Sequence, residues 1–163
     1  MAQYQANSRN TQNFSLTLGN QKIGELIYSK WYSFKAEIVL ADDTKYQLEP
    51  KGFWDSKIEL KDNEKTLLDF KLGWKGIVIK SFLDNQEQTY LLKLKSLLSY
   101  KFMLIDTNND VLMAAETHFK WNKFSYDYSI ETSPVFEHFD NKELLLLTIL
   151  HCINYYMTVN VSG

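Results

Sequence analysis

The sequence contains little cysteine, arginine or proline, and each shortage excludes a kind of structure or recognition. Cys152 is the only cysteine among 163 residues, so the chain cannot form an internal disulfide, which fits a reducing compartment. Arg9 is the only arginine beside seventeen lysines, which disfavours the forked recognition of phosphate or carboxylate that guanidinium groups provide. The only prolines, Pro50 and Pro134, lie at the ends of predicted elements, where a missing N–H does not interrupt a sheet.

Motifs of catalysis and targeting are absent as well. The chain has no glycine-rich phosphate loop, no His-Glu-x-x-His, no cysteine pair and no nucleophile elbow. Its first ten residues lack the apolar stretch of a secretory signal. The net charge of −2 and the pI near 5.9 argue against a general nucleic-acid binder. We therefore expect a cytoplasmic protein that is not an enzyme, uses no cofactor or metal and binds no nucleic acid.

Most of the chain alternates apolar and polar residues with the period of two that is typical of strands. The clearest run places Phe124, Tyr126, Tyr128 and Ile130 against Ser125, Asp127 and Ser129. Asp and Asn residues between the apolar runs, such as Asp62 and Asn63, are typical of hairpin turns. Strands with one apolar and one charged face belong to antiparallel sheets. We count about eleven strands between residues 13 and 133.

A four-strand pattern repeats nearly three times along the chain. Its copies align at Leu16, Ile58 and Phe102, with spacings of 42 and 44 residues. A tryptophan follows the second strand of each copy, at Trp31, Trp74 and Trp121. A fixed period of this kind decides architecture before anything else does. We therefore expect these three tryptophans to hold equivalent strand positions with related burial, whereas Trp54 stands outside the series.

The pattern changes after Pro134, where residues 140–158 are predicted to form a helix that is apolar on nearly every face. Such a helix is buried on all sides or lies in a membrane. Its apolar part is about 21 Å long. A helix that crosses a bilayer needs ~20 residues, which span ~30 Å. We therefore expect no transmembrane segment. A barrel of about twelve strands encloses more space than its own side chains fill, so the helix is predicted to plug it.

The strand-pair repeats, the tryptophan in each and the terminal helix that begins near Asp140 together resemble the tubby C-terminal-domain-like superfamily. That superfamily includes tubby proteins, phospholipid scramblases and plant LURP-one-related proteins. The resemblance covers residues 13–158 and rests on architecture. It implies a closed antiparallel β-barrel of twelve strands around a buried hydrophobic C-terminal α-helix. Family members that bind phosphoinositides use basic residues on the barrel exterior, but no motif here allows such residues to be assigned by position.

These observations predict a single, mainly β domain that spans residues 1–163. Residues 1–12 are predicted to be a loosely attached tail, residues 13–133 to form the barrel strands and residues 140–158 the central helix. The strand count is one short of twelve. Either the segment before Asn13 contributes a strand, or the predicted boundaries are displaced.

Lysines are concentrated in residues 71–101, which carry a net charge of +4, whereas residues 102–163 carry −5. Two lysines fall on one face of a predicted strand and two more flank a tryptophan. A basic stripe beside an aromatic ring can hold a lipid headgroup, but surface lysines also keep strand edges from pairing with neighbours. The candidate ligand-binding residues are Lys93, Lys95, Lys120, Lys123 and Trp121.

No residue is predicted to be catalytic or to bind a metal. His151 lies on the apolar helix, where we expect a core histidine that hydrogen-bonds a backbone carbonyl or a tyrosine hydroxyl. Cys152 beside it is expected to be an inert, buried thiol.

Two functions of different classes fit these expectations. The first is a non-enzymatic cytoplasmic module, peripheral to a membrane, that binds anionic phospholipid headgroups or a protein partner. The second is a lipocalin-like carrier of a small apolar ligand. Barrels of that type keep their interior free for the ligand, whereas this sequence supplies a helix to fill it. An enzyme ranks third, because the sequence shows no recognisable catalytic arrangement of side chains.

Overall fold

The computed structural model describes residues 1–10, 13–29, 34–51, 57–96, 98–121 and 125–161. They form a closed antiparallel barrel of twelve strands and a long C-terminal helix. The first six strands are β1 (Ala2–Asn10), β2 (Asn13–Leu18), β3 (Gln21–Tyr28), β4 (Ala36–Leu40), β5 (Lys45–Lys51) and β6 (Lys57–Asp62). The other six are β7 (Lys65–Leu72), β8 (Ile77–Ser81), β9 (Gln88–Ser96), β10 (Lys101–Ile105), β11 (Val111–Lys120) and β12 (Ser125–Thr132). The fold class predicted from the sequence is confirmed.

The strands pair in chain order, and β1 closes the barrel between β12 and β2. The prediction that residues 1–12 form a loose tail is therefore wrong for residues 2–10. The side chains of Tyr4, Ala6 and Ser8 point inward and are at most 2% exposed. Their burial and the two backbone ladders, which satisfy the N–H and C=O groups of the strand on both edges, hold β1 in the wall.

The four-strand repeat is visible in the irregularities of the sheet. The pairs β2–β3, β6–β7 and β10–β11 each shift register next to a leucine, at Leu16, Leu60 and Leu104. All three leucines are completely buried, and they are spaced 44 residues apart in both intervals. The alignment of Leu16 with Ile58 is thus two residues out of register.

Two of the three repeat tryptophans can be compared. Trp74 lies two residues after the end of β7, and Trp121 directly follows β11. These are the second strands of the second and third copies, and both tryptophans are exposed. The prediction of related positions is confirmed for this pair, whereas Trp31 and Trp54 lie outside the described residues.

The chain after β12 forms a short helix α1 (Pro134–Glu137) and the long helix α2 (Lys142–Val161). Ser133 caps α1, because its hydroxyl accepts a hydrogen bond from the Phe136 N–H at 3.2 Å. The middle of α2 is shielded from solvent on every side. Its fully buried residues are Leu146, Leu147, Thr148, Ile149, Leu150, His151, Cys152 and Ile153. The buried central helix was predicted at residues 140–158, close to its observed bounds.

A glycine in the wall makes room for α2. A Cβ on Gly24 of β3 would lie 2.7 Å from Cδ1 of Leu147 and 2.8 Å from the carbonyl oxygen of Val39. Real side chains do not approach so closely. The glycine therefore allows the helix to pack directly on the sheet, a use typical of glycine inside a strand.

Because the strands form a meander, alternate connections lie at opposite ends of the barrel. One end consists of residues 19–20, 41–44, 63–64, 82–87, 106–110 and 133–141. These segments contain no lysine or arginine and nine carboxylates: Asp42, Asp43, Glu64, Asp84, Glu87, Asp106, Asp110, Glu137 and Asp140. We call this the acidic end. The opposite end, which we call the basic end, includes Lys71, Trp74, Lys75, Lys95, Leu98, Lys101, Lys120 and Trp121.

Candidate binding surface at the basic end

Three successive hairpins present a large apolar side chain to solvent at the basic end. Trp74 follows β7, Leu98 follows β9 and Trp121 follows β11, with exposed fractions of 105%, 98% and 79%. Single exposed apolar residues are ordinary on protein surfaces. Three large ones on neighbouring hairpins at one end of a barrel indicate an interaction surface.

The hairpin that carries Trp74 has a backbone conformation that requires glycine. The N–H of Gly73 donates a hydrogen bond to the carbonyl oxygen of Gly76 at 2.7 Å. Gly76 has φ of 140°, and a Cβ there would lie 2.2 Å from the carbonyl oxygen of Leu92. Only glycine fits this position. The tight closure leaves Trp74 and Lys75 projecting from the tip.

Lysines surround the three apolar side chains. They are Lys71 and Lys75 near Trp74, Lys95 and Lys101 on either side of Leu98, and Lys120 before Trp121. Lys101 forms an ion pair with Glu116. No described carboxylate lies within ion-pair distance of Lys71, Lys75 or Lys95. These three lysines are available to a ligand that carries negative charge.

Lys120 has a structural role instead. It pairs with Oδ2 of Asp127, a carboxylate that is only 9% exposed. The other oxygen of Asp127 accepts hydrogen bonds from the N–H of Ser8 at 2.9 Å and from its hydroxyl at 3.3 Å. Lys120 thus balances a buried charge that joins β12 to β1, and removing it would leave that charge uncompensated.

The basic surface continues from the hairpins onto the outer wall. The outward-facing residues of β8 and β9, both fully described, include three lysines and no carboxylate: Val78, Lys80, Thr89, Leu91, Lys93 and Lys95. On the neighbouring strand β10, the residue that pairs with Lys93 is Met103, which carries no charge. The charge imbalance that the sequence showed in residues 71–101 therefore becomes a continuous face of the barrel.

The structure brings together only part of the predicted site. Lys93 and Lys95 lie on β9, and Lys120 and Trp121 lie at the end of β11, with β10 between them. Lys123 lies outside the described residues. Sequence reasoning missed Lys71, Trp74, Lys75, Leu98 and Lys101 as members of the surface. Predicting these residues requires the strand order, because alternate hairpins of a meander lie at the same end of the barrel.

A second polar group is buried between α2 and the wall. Asn154 donates a hydrogen bond through Nδ2 to the Tyr28 hydroxyl at 3.1 Å, and this hydroxyl in turn contacts Nδ1 of His151. The other ring nitrogen of His151, Nε2, has no hydrogen-bond partner in the described part of the chain. Burial lowers the pKa of His151 to about 3 and raises the pKa of the Cys152 thiol. His151 is thus a neutral core histidine bonded to a tyrosine hydroxyl, as predicted.

The chain matches no protein-family model, no curated protein and no solved structure. Within its described part, no helix combines the length and the apolar character that a membrane crossing requires. Function has therefore to be inferred from the surfaces of the barrel itself.

Proposed function

We propose that the protein is a non-enzymatic module that binds the surface of an anionic membrane through its basic end. The observation that carries this proposal is the set of three exposed apolar side chains on successive hairpins, each flanked by lysine. Tryptophan is favoured where a membrane meets water, because its ring is largely apolar and its N–H remains polar. We further propose that the protein is cytoplasmic and peripheral to the membrane, because anionic lipids face the cytoplasm.

The two kinds of side chain supply complementary contributions. A lysine near an anionic bilayer contributes on the order of 1 kcal/mol, and apolar side chains that enter the headgroup region add the free energy of burying their surface. Neither contribution alone holds a protein firmly on a membrane, but the two together do. The scarcity of arginine fits this mode, because a diffuse negative surface attracts point charges and does not require forked recognition.

Flotation with vesicles tests the proposal directly. The protein is mixed with vesicles of phosphatidylcholine alone and with vesicles that also contain phosphatidylserine. We expect flotation with the anionic vesicles and a loss of flotation as the salt concentration rises, because salt screens exposed charges. Equal and negligible binding to both vesicles would remove the lipid proposal and leave a protein partner at the same surface.

Matched variants assign the binding to the basic end. We expect Trp74→Ser with Trp121→Ser to abolish flotation, and Lys71→Gln with Lys75→Gln to weaken it. The controls are Val111→Ser with Val135→Ser, which remove exposed apolar side chains in or beside the acidic end, and Lys45→Gln with Lys65→Gln. The lysine pair removes the same number of charges from the first residues of β5 and β7, directly after two turns of that end. If the control variants lose as much binding as the others, the basic end is not the membrane-binding surface.

The predicted membership in the tubby C-terminal-domain-like superfamily also remains a proposal. It is supported by the closed barrel of twelve strands and the buried C-terminal helix that the resemblance implied. The alternative function, a carrier of a small apolar ligand, has no specific observation in its favour, because α2 occupies the part of the interior where such a ligand would lie.

A further inference from the structure

A cavity of about 510 Å³ opens at the acidic end, opposite to the proposed membrane-binding surface. It lies between the 82–87 turn, the 106–110 turn and the segment that leads from α1 into α2. Its walls are partly apolar, with Leu83, Leu112, Leu145 and Phe139 among the lining residues. A volume of this size is in the range of small-molecule sites.

The carboxylates that line the cavity are accompanied by one histidine, His138, among the described lining residues. The three carboxylates are those of Asp84, Asp106 and Asp140, and no lysine or arginine is among the described lining residues of the cavity. Asp106 uses one oxygen to accept hydrogen bonds from the N–H groups of Asn108 and Asp110. Asp84 accepts one from the Asn141 amide at 2.7 Å. Asp140 forms no such contact in the described part of the chain.

An unpartnered hydroxyl accompanies these carboxylates. Tyr90 lines the cavity and is only 7% exposed. Its hydroxyl forms no hydrogen bond with another described residue, but it is not sealed from solvent, because the one buried side-chain N or O atom without a partner in the described part of the chain is Nε2 of His151. The ring of Tyr90 lies beside that of Phe139, with 6.3 Å between the ring centroids. Burial, and then the negative charges of Asp106 and Asp84, raise the pKa of Tyr90. The hydroxyl therefore remains able to donate to or accept from a group that enters the cavity.

The arrangement does not suit a metal ion. In the described part of the chain, no three His, Cys, Asp or Glu side chains are placed to hold one. Separated carboxylates on the rim and an aromatic and aliphatic wall suit a cation that carries its own apolar body. Rings near a cationic group add a cation–π attraction.

We infer that the acidic-end cavity binds an organic cation, an alkyl chain that ends in an ammonium group. The ammonium donates to the carboxylates of Asp84 and Asp140 and to the Tyr90 hydroxyl oxygen, and the alkyl chain packs on Phe139 and its aliphatic neighbours. The source of the group is a free amine or a lysine side chain of another protein. The inference does not depend on the membrane proposal, because the two surfaces lie at opposite ends of the barrel.

NMR titration of the isotope-labelled chain with 1,5-diaminopentane tests the inference, with 1-pentanol as the neutral counterpart. We expect saturable shifts of amides around Tyr90 and the 106–110 turn with the diamine, and none with the alcohol. A peptide that contains one lysine is titrated beside them. Binding of the diamine indicates a free amine, and binding of the peptide alone indicates a protein lysine. Binding of neither, or equal binding of the alcohol, overturns the inference.

Variants locate the site. Asp84→Asn with Asp140→Asn is expected to weaken binding about tenfold or more, because two charged acceptors are lost. Asn fits at residue 84, where φ is 61°, because asparagine tolerates left-handed backbone. Asp42→Asn with Asp43→Asn is the control and removes two charges from another turn of the same end. Tyr90→Phe keeps the ring and is expected to weaken binding less. If the control loses as much affinity as the double variant, the protein attracts cations without a site.

Discussion

The two ends of the barrel are built from the same kind of hairpin but expose different chemistry. At the acidic end the turns are rich in Asp and Asn, and several side chains hydrogen-bond their own backbone, as Asp42 does with the Thr44 N–H at 3.0 Å. At the basic end the described tips carry Trp74, Leu98 and Trp121 and leave them in solvent. Turn stability alone does not require exposed tryptophan. The residues at the acidic-end turns are therefore explained by the conformation of the turns, whereas the exposed apolar residues at the basic end are not.

The ends also differ in how they hold α2. At the acidic end the Glu137 carboxylate accepts hydrogen bonds from the hydroxyls of Tyr4 and Thr132 and from Lys142. It thus joins β1, β12 and the start of α2. Towards the basic end, the chain from Asn154 through Tyr28 to His151 is uncharged. One end of the helix is fixed by charge, and the other by a neutral network in the core.

The largest effect is expected from a charge in the part of α2 that joins the two ends. Leu147 is completely buried, and Leu147→Asp would bury a carboxylate without a partner. Loss of a buried leucine alone typically costs ~2–5 kcal/mol, against a total stability of ~5–15 kcal/mol, so we expect the variant to unfold. Circular dichroism measures the loss of structure. Val159→Asp, at a site that is 42% exposed, should remain folded.

A soluble Leu147→Asp variant that melts like the wild-type protein would show that α2 lies on the surface of the barrel rather than within it.

Acid is expected to act next on the neutral network. The pKa of His151 is about 3 in the folded protein, whereas its ordinary value is 6.5. Between these two pH values, His151 binds a proton in the unfolded chain but not in the folded one. The stability that depends on neutral His151 is therefore fully present above pH 6.5. Below that pH the free energy of unfolding falls by up to about 1.4 kcal/mol for each pH unit. Denaturant unfolding at pH 7 and pH 5 measures the slope. His151→Gln should flatten this slope, whereas His118→Gln, at an exposed site, should not.

The acidic end should respond to acid in a lower range. Burial opposes ionisation of Glu137, but hydrogen bonds from Thr132, Tyr4 and Lys142 outweigh it and lower the pKa of this carboxyl below 4.5. Its contribution is present above pH 4.5 and is lost as the pH falls below that value. Glu137→Gln should cost about 1–2 kcal/mol at pH 7, since hydrogen bonds to a charged group are lost. Amide exchange should rise around Tyr4 and Thr132 and remain unchanged around Tyr28; a uniform rise would contradict a local clamp.

The smallest effect on stability is expected at the exposed tips. Trp74→Ser and Trp121→Ser should each change the free energy of unfolding by less than about 0.5 kcal/mol, because surface side chains contribute little to folding. The same variants should remove vesicle binding. A large loss of stability would mean that the tryptophans belong to the fold, and the contrast between the two ends would lose its functional meaning.

The barrel strands and the central helix could be predicted from the sequence because both depend on local patterns. Alternation marks each strand with one buried face, and the run from Leu144 to Met157 marks the helix. The sequence analysis left a strand before Asn13 open but assigned residues 1–12 to a tail, because Ser8 and Ala6 stand at inward positions where larger apolar residues are usual. The partner strand β12 also lies at the other end of the chain. The repeat was placed two residues out of register because Ile58 and Leu60 are both apolar and buried, so either one matches Leu16 by pattern. The bulges next to Leu16 and Leu60 mark the true register, and a bulge is not visible in composition.

The surfaces on which the proposals rest were less accessible to sequence reasoning. Lys93 and Lys95 were predicted as candidates because they lie two residues apart on one strand. Trp74 and Leu98 belong to separate hairpins, and only the closed meander brings them to one end. The cavity beside Tyr90 draws Asp84, Asp106 and Asp140 from three distant segments, and no spacing rule joins them.

The direction in which α2 passes through the barrel gives the charge separation a further consequence. An α-helix carries about half a positive elementary charge at its first residue and half a negative one at its last. α2 starts at Lys142, among the nine carboxylates, and runs towards the lysine-bearing hairpins. The surface charges and the helix macrodipole therefore attract each other, and a helix threaded in reverse would place like charges together. The arrangement of acidic and basic residues thus favours the direction in which the central helix runs.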